Sequence, residues 1–73
     1  MFQVTRSDLN LFTVFEAIYI EGSVTGAADR LNLTQPAVSH ALNRLRALFK
    51  DQLFVRSGHA IVPTPFARNI AQV

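Results

Sequence analysis

Apolar residues recur at helical spacing along the chain as far as Phe49, and then give way to short β-prone runs. Leu11, Phe15 and Ile18 stand at i, i+4 and i+7, and Leu9, Phe12 and Tyr19 widen the stripe, which predicts a first helix burying a broad face. Ser7 is placed to cap it, with Asp8 close to its positive end. The rings on this helix read as core, not as a platform on which bases stack. Gly22 ends the helix by permitting a left-handed backbone.

Ser23 then caps a short second helix whose inward positions are Val24, Ala28 and Leu31. Ala28 is small, as two closely crossing helices require. Asn32 follows at the turn, and asparagine is one of the few residues besides glycine that tolerates left-handed geometry. Thr34 caps a third helix, with Pro36 in its first turn, where a missing N–H costs little. Val38, Ala41, Leu42, Leu45, Leu48 and Phe49 form one apolar stripe along it. Opposite stand Pro36, Ser39, His40, Asn43 and Arg44, with Gln35, Arg46 and Lys50 on the flank. This outward set carries amide, hydroxyl, imidazole and guanidinium groups and no acid before Asp51, so it is a face able to hydrogen-bond base edges and phosphates.

Leu53–Arg56 and Ala60–Val62 are β-prone runs separated by Ser57, Gly58 and His59, a hairpin signal. A hairpin directly after an outward-facing polar helix is a wing. Thr64 and Pro65 read as the cap and first residue of a fourth helix, whose apolar positions Phe66, Ile70 and Val73 repeat at i, i+4 and i+7. The predicted fold is mainly α. It is a winged helix-turn-helix of three helices and a two-stranded wing over residues 1–64, then the start of a further helix over 65–73, cut partway.

Length and composition narrow the function. The chain has 73 residues, room for one small domain, and 49% of them are apolar, which excludes a disordered tail. There is no cysteine, hence no disulfide or thiolate metal site, which fits a reducing cytoplasm. No run is long enough to cross a bilayer, and two isolated histidines make no metal site. The net charge of +2 is unevenly spread: beyond Arg30 stand Arg44, Arg46, Lys50, Arg56 and Arg68 against Asp51 alone, a balance suited to a polyanion. Enzymatic chemistry finds no support. Ser39 and His40 are sequence neighbours that do not face each other on a helix, and neither a Gly-rich phosphate loop nor a carboxylate pair is evident.

Individual side chains leave alternatives open. Gln35 suits a bidentate contact to adenine or a helix-end cap; Ser39 suits phosphate more than a base. His40 reads as a base or phosphate contact or as a plain exposed histidine. Arg44 can meet phosphate or a local carboxylate, and Arg56 is projected toward a duplex by the wing. A basic helical module that docks an acidic protein, and a winged-helix regulator of another type, are the competing classes.

Three segments taken in order, LNLTQPAVSHALNRLR, LFVRSG and VPTPFA, resemble the amino-terminal DNA-binding domain of the LysR-type transcriptional regulators, over about Asp8 to Ala67. The resemblance implies a bacterial, cytoplasmic regulator that reads a pseudo-palindromic promoter site in double-stranded DNA as a homodimer. It implies that Gln35, Pro36, Ser39 and His40 lie at the groove-facing start of the recognition helix 35–49, with Ser23 and Thr34 near phosphates. Arg56 would sit on the wing, around 53–62. His59 and Ala60 depart from the basic residue and glycine common at that wing tip. The helix from Pro65 would be a linker helix that pairs antiparallel with its counterpart through Phe66, Ile70 and Val73. The resemblance brings no cofactor to this fragment. It places a small-molecule effector on a larger carboxy-terminal domain absent from the chain, and opens a contact to RNA polymerase in the full-length protein.

Overall fold

The computed structural model describes residues 4–71, with side chains from Leu11 onward. Four helices, α1 (Val4–Glu21), α2 (Val24–Leu31), α3 (Gln35–Phe49) and α4 (Pro65–Ala71), accompany an antiparallel pair, β1 (Phe54–Ser57) and β2 (Ala60–Pro63), set between α3 and α4. Val73 and the side chains of Ser7, Asp8 and Leu9 lie outside the described residues. Helix α1 is already under way at Val4, ahead of the cap predicted at Ser7, because no glycine or proline in Val4–Arg6 interrupts it.

The helix boundaries follow from side-chain and backbone chemistry that is local in sequence. Gly22, at φ 71°, closes α1 with its N–H on the Ile18 carbonyl at 2.8 Å. Ser23 is extended and its Oγ accepts the Gly26 N–H at 2.9 Å, capping α2. Asn32 takes the left-handed conformation at φ 59°. Its N–H reaches the Asp29 carbonyl (3.2 Å) and that of Leu33 reaches Ala28 (2.8 Å), the paired bonds of a Schellman motif. Thr34 Oγ1 then accepts the Ala37 N–H at 3.3 Å and starts α3 with Pro36 in its first turn.

The core is made where α1, α2 and α3 converge. Ile18, Ala27 and Val38 are fully buried, Leu11, Val14, Phe15, Ala17, Ala28, Leu42 and Leu45 surround them, and Leu53, Phe54 and Ala67 extend the cluster beyond the three helices. Ala27, not foreseen among the inward positions, joins Ala28 in letting α2 lie close to its neighbours. Two predicted core residues face solvent instead. Phe12 is 62% exposed because the buried face of α1 runs through Val14 and Ala17, and Leu48 is 65% exposed at the outer edge of the α3 stripe. Phe49 turns toward α4 and meets Phe66, with ring centroids 5.7 Å apart.

Strand β1 begins at Phe54, and Leu53 lies outside it, correcting the predicted run. Leu53 has φ 67°, and the Phe54 N–H returns to the Gln52 carbonyl at 2.7 Å, so Leu53 is the centre of a γ-turn and is fully buried. Phe54 anchors the hairpin to the core through Phe15 (5.4 Å) and Tyr19 (6.4 Å). The register pairs Val55 with Val62 and Arg56 with Ile61, leaving the two residues Gly58 and His59 as the loop. Gly58, at φ 64°, supplies the positive φ that such a tight hairpin needs at its first loop position.

Replacing Asn32 by valine should destabilise the fold by about 1–2 kcal/mol, the cost of a β-branched residue in the left-handed region, while Asn32→Gly should be nearly neutral. Urea unfolding of the two variants checks this; equal losses in both would mean that the Asn32 side chain, not its backbone, closes the turn.

Candidate nucleic-acid interface

Helix α3 buries Val38, Leu42 and Leu45, which turns the opposite side of the helix outward as a rigid polar face. Gln35, Pro36, Ser39, His40, Asn43 and Arg44 are all exposed. At helical spacing they form two ridges, Gln35–Ser39–Asn43 and Pro36–His40–Arg44. The first ridge faces the wing: Ser39, Asn43 and Arg46 line one cleft with Arg56 and Phe54, floored by Val24, Leu42 and Ile61. The second ridge lies outside that cleft. Gln35 stands one turn before Ser39 on the first ridge, outside the residues that line the cleft.

The capped starts of α2 and α3 flank this face. The Ser23 hydroxyl oxygen accepts from Gly26 and that of Thr34 from Ala37, and each hydroxyl keeps its own O–H to donate. Arg56 is exposed on β1 beside the cleft, and His59 is exposed at the hairpin loop. The structure thus brings Ser39, Asn43 and Arg56 together and sets Gln35, Pro36, His40 and Arg44 on the adjoining surface. Phe66 is half-exposed against Phe49, and Ile70 packs partly on the core. Ile70 also lines a groove with Phe12, Phe15, Glu16, Tyr19 and Ile20 of α1, away from the polar face of α3.

A polar node at the base of the wing has, as a whole, no counterpart in the pattern of residues along the chain. Arg46, predicted on the flank of α3, donates from Nε to the Gln52 carbonyl (2.8 Å), from Nη2 to the Phe54 carbonyl (3.1 Å) and from Nη1 to Asn43 Oδ1 (3.3 Å). Asp51 Oδ2 accepts both the Leu53 N–H (2.9 Å) and the Thr64 hydroxyl (2.8 Å). Thr64 caps α4 through its Oγ1, which accepts from Ala67 at 3.0 Å, and its N–H returns to the Leu53 carbonyl at 2.9 Å. The Asp51 contact to a backbone N–H two residues on is a recognisable turn habit of aspartate and was legible; the reach of Arg46 across to two carbonyls was not. Among the described residues the salt bridge is Arg30–Glu21 at 3.0 Å, so Arg44 does not take the carboxylate partner left open for it.

Comparison with known proteins gives a consistent result. A sequence model described as the bacterial regulatory helix-turn-helix protein, lysR family, matches residues 9–68. The chain is 49% identical over 65 residues to the transcriptional activator NagR of a Ralstonia species, covering 89% of this chain and 22% of that protein. It is 52% identical over 62 residues to the regulator LeuO of Escherichia coli, covering 85% and 20% respectively. Among solved structures, a transcriptional regulator of Pseudomonas aeruginosa superposes with a TM-score of 0.85 at 45% identity, over 89% of this chain and 22% of that one. The BenM DNA-binding domain, crystallised with catB site DNA, superposes at 0.82 with 31% identity, over 88% of this chain and 72% of that one. The chain therefore spans about a fifth of the length of the curated relatives it matches.

Replacing Asp51 by alanine leaves the Leu53 N–H and the Thr64 hydroxyl without their shared acceptor. It should cost about 1–3 kcal/mol in denaturant unfolding, the usual penalty for such a loss. An unchanged midpoint would show that water replaces the carboxylate at no cost.

Proposed function

The chain belongs to the LysR family of bacterial regulatory helix-turn-helix proteins, and from that membership we propose how this DNA-binding domain of a transcriptional regulator reads its site. The observation that carries the reading is the exposed polar ridge pair of α3, standing beside Arg56 across a single cleft. Helix α3 enters the major groove by its amino-terminal half, and the wing lies along the adjoining backbone. Gln35 reads adenine through its amide, while Ser39, Asn43 and His40 meet base edges or nearby phosphates. Pro36 packs against the groove wall. The hydroxyls of Ser23 and Thr34, together with Arg44, Arg56 and the His59 tip, supply the part of the affinity that depends on charge rather than sequence.

Two copies act together in this reading. The groove between α1 and α4, with Phe12, Ile20 and Ile70 along it and Phe66 half-exposed at the start of α4, is the apolar surface that a second copy covers. A homodimer then sets two α3 helices into major grooves about one helical turn apart on a pseudo-palindromic site. In the full-length regulator a small-molecule effector binds a carboxy-terminal domain, RNA polymerase is within reach, and the protein works in the cytoplasm, where its DNA is.

Arg56→Ala should weaken binding to every duplex and lower the salt slope of log K by about 0.9, one phosphate's share; an unchanged slope removes Arg56 from the backbone contacts. Gln35→Ala should instead cost about 1–3 kcal/mol of discrimination between a site with T and A about one helical turn apart and a scrambled duplex, read by fluorescence anisotropy. Loss of affinity without loss of discrimination would take base reading away from Gln35. Phe12→Glu, at a solvent-facing position, should weaken self-association in sedimentation velocity without unfolding the chain, and an unaltered profile would free the α1–α4 groove of that role.

A further inference from the structure

Arg46 stands one helical turn beyond Asn43 on the ridge that faces the wing, and it lines the same cleft as Ser39, Asn43 and Arg56. By charge and place it looks like one more phosphate contact. Its hydrogen bonds say otherwise. We propose that Arg46 is a positioning residue, which holds the wing at the angle at which Arg56 meets the DNA backbone and does not itself neutralise a phosphate. This rests on the DNA-binding reading above.

The Arg46 guanidinium grips main-chain carbonyls on both sides of one residue. Its Nε and Nη2 bind the carbonyls of Gln52 and Phe54, the two residues flanking Leu53. Leu53 is the buried, positive-φ centre of the γ-turn through which the chain leaves α3 and enters β1. A leucine does not take that conformation unaided. A planar, fork-shaped donor that bridges both flanking carbonyls fixes the turn, and with it the direction of β1. Phe54 and Arg56 lie two apart on that strand and so point to the same side, and both line the cleft. The orientation of Arg56 is therefore set two residues upstream, at the carbonyl that Arg46 grips.

A second tie closes the same node from the other end of the hairpin. Asp51 holds the Leu53 N–H and the Thr64 hydroxyl, and the Thr64 N–H holds the Leu53 carbonyl. Entry to the wing and exit from it are thus pinned at one point, by one cation and one carboxylate. The third contact of Arg46, from Nη1 to Asn43 Oδ1, links the node to the outward ridge of α3. With its oxygen so occupied, Asn43 keeps its amide N–H groups to donate, the polarity that phosphate and base-edge acceptors need.

The test is a double-mutant cycle on the full chain, with anisotropy on a specific and a scrambled duplex over a range of salt. Arg46→Gln, Arg56→Ala and the double variant are compared with the parent. If Arg46 acts through the wing, each single change lowers the salt slope by about 0.9, and the double change lowers it by no more than either single one. Independent losses, with the double variant falling by about two such steps, would make Arg46 a phosphate contact and overturn the proposal. So would an Arg46→Gln protein whose affinity and slope match the parent. Thr64→Val, which removes no charge, should reproduce the single-step loss and be non-additive with Arg56→Ala; additivity there also counts against the proposal. Amide NMR spectra without DNA give a readout independent of binding. Arg46→Gln should shift Phe54 through Ile61 and leave Val38 and Leu42 in place, whereas an unshifted wing overturns the proposal. A parent protein that binds neither duplex would instead sink the DNA-binding reading itself.

Discussion

The helical core of this small protein, and with it the set of α3, depends on how closely α2 approaches its neighbours at Ala27 and Ala28. Both are buried, and neither has a side chain beyond Cβ to hold the helices apart. Only at that separation can Val14, Ile18, Val38 and Leu45 close over the junction and exclude water. A larger residue at either alanine would push α2 outward and tilt α3, whose outer face carries the polar groups that matter. With 73 residues there is little apolar area to spare, so the angle of α3 rests on a few contacts that cannot be loosened one at a time.

The wing depends on a different kind of interaction. Its apolar hold is Phe54 against Phe15 and Tyr19, which fixes where the hairpin starts. Direction comes from hydrogen bonds: Arg46 and Asp51 on one side, Thr64 on the other, around a leucine in a conformation leucine avoids. The Ile61 N–H also reaches the Gly22 carbonyl at 3.5 Å, so the second strand leans on the corner between α1 and α2. Two charged side chains of opposite sign, both part-exposed, thus serve the backbone rather than each other.

What was legible in the sequence was mostly what is decided within a few residues. Gly22, Ser23, Asn32 and Thr34 set their turns by side-chain and backbone chemistry that needs no distant partner, and each stands where the pattern put it. The outward face of α3 was readable because an apolar stripe implies its opposite. Phe12 and Leu48 were misplaced because the width of a buried face depends on what lies across from it, and spacing alone leaves its edges undefined. Leu53 carries every mark of a strand residue, and only tertiary contacts force it into a turn. Arg46 was invisible for a related reason: a long side chain finds its partners in space, and its acceptors are main-chain carbonyls that no residue type announces.

The node at the base of the wing also bears on the order in which the molecule comes apart. Helices α1 to α3 are joined by turns of a few residues and share one core, to which Leu53, Phe54 and Ala67 also belong. The hairpin is tied back by a bond between residues 13 apart in the chain, Thr64 to Asp51, and by a long one from Ile61 to Gly22. Its outer face, Val55 and Val62, is left to water. Beyond Phe54 the hairpin therefore has fewer buried contacts to hold it than the helices have. Amide exchange would then see two tiers of protection, slower in the helices and faster toward the hairpin tip.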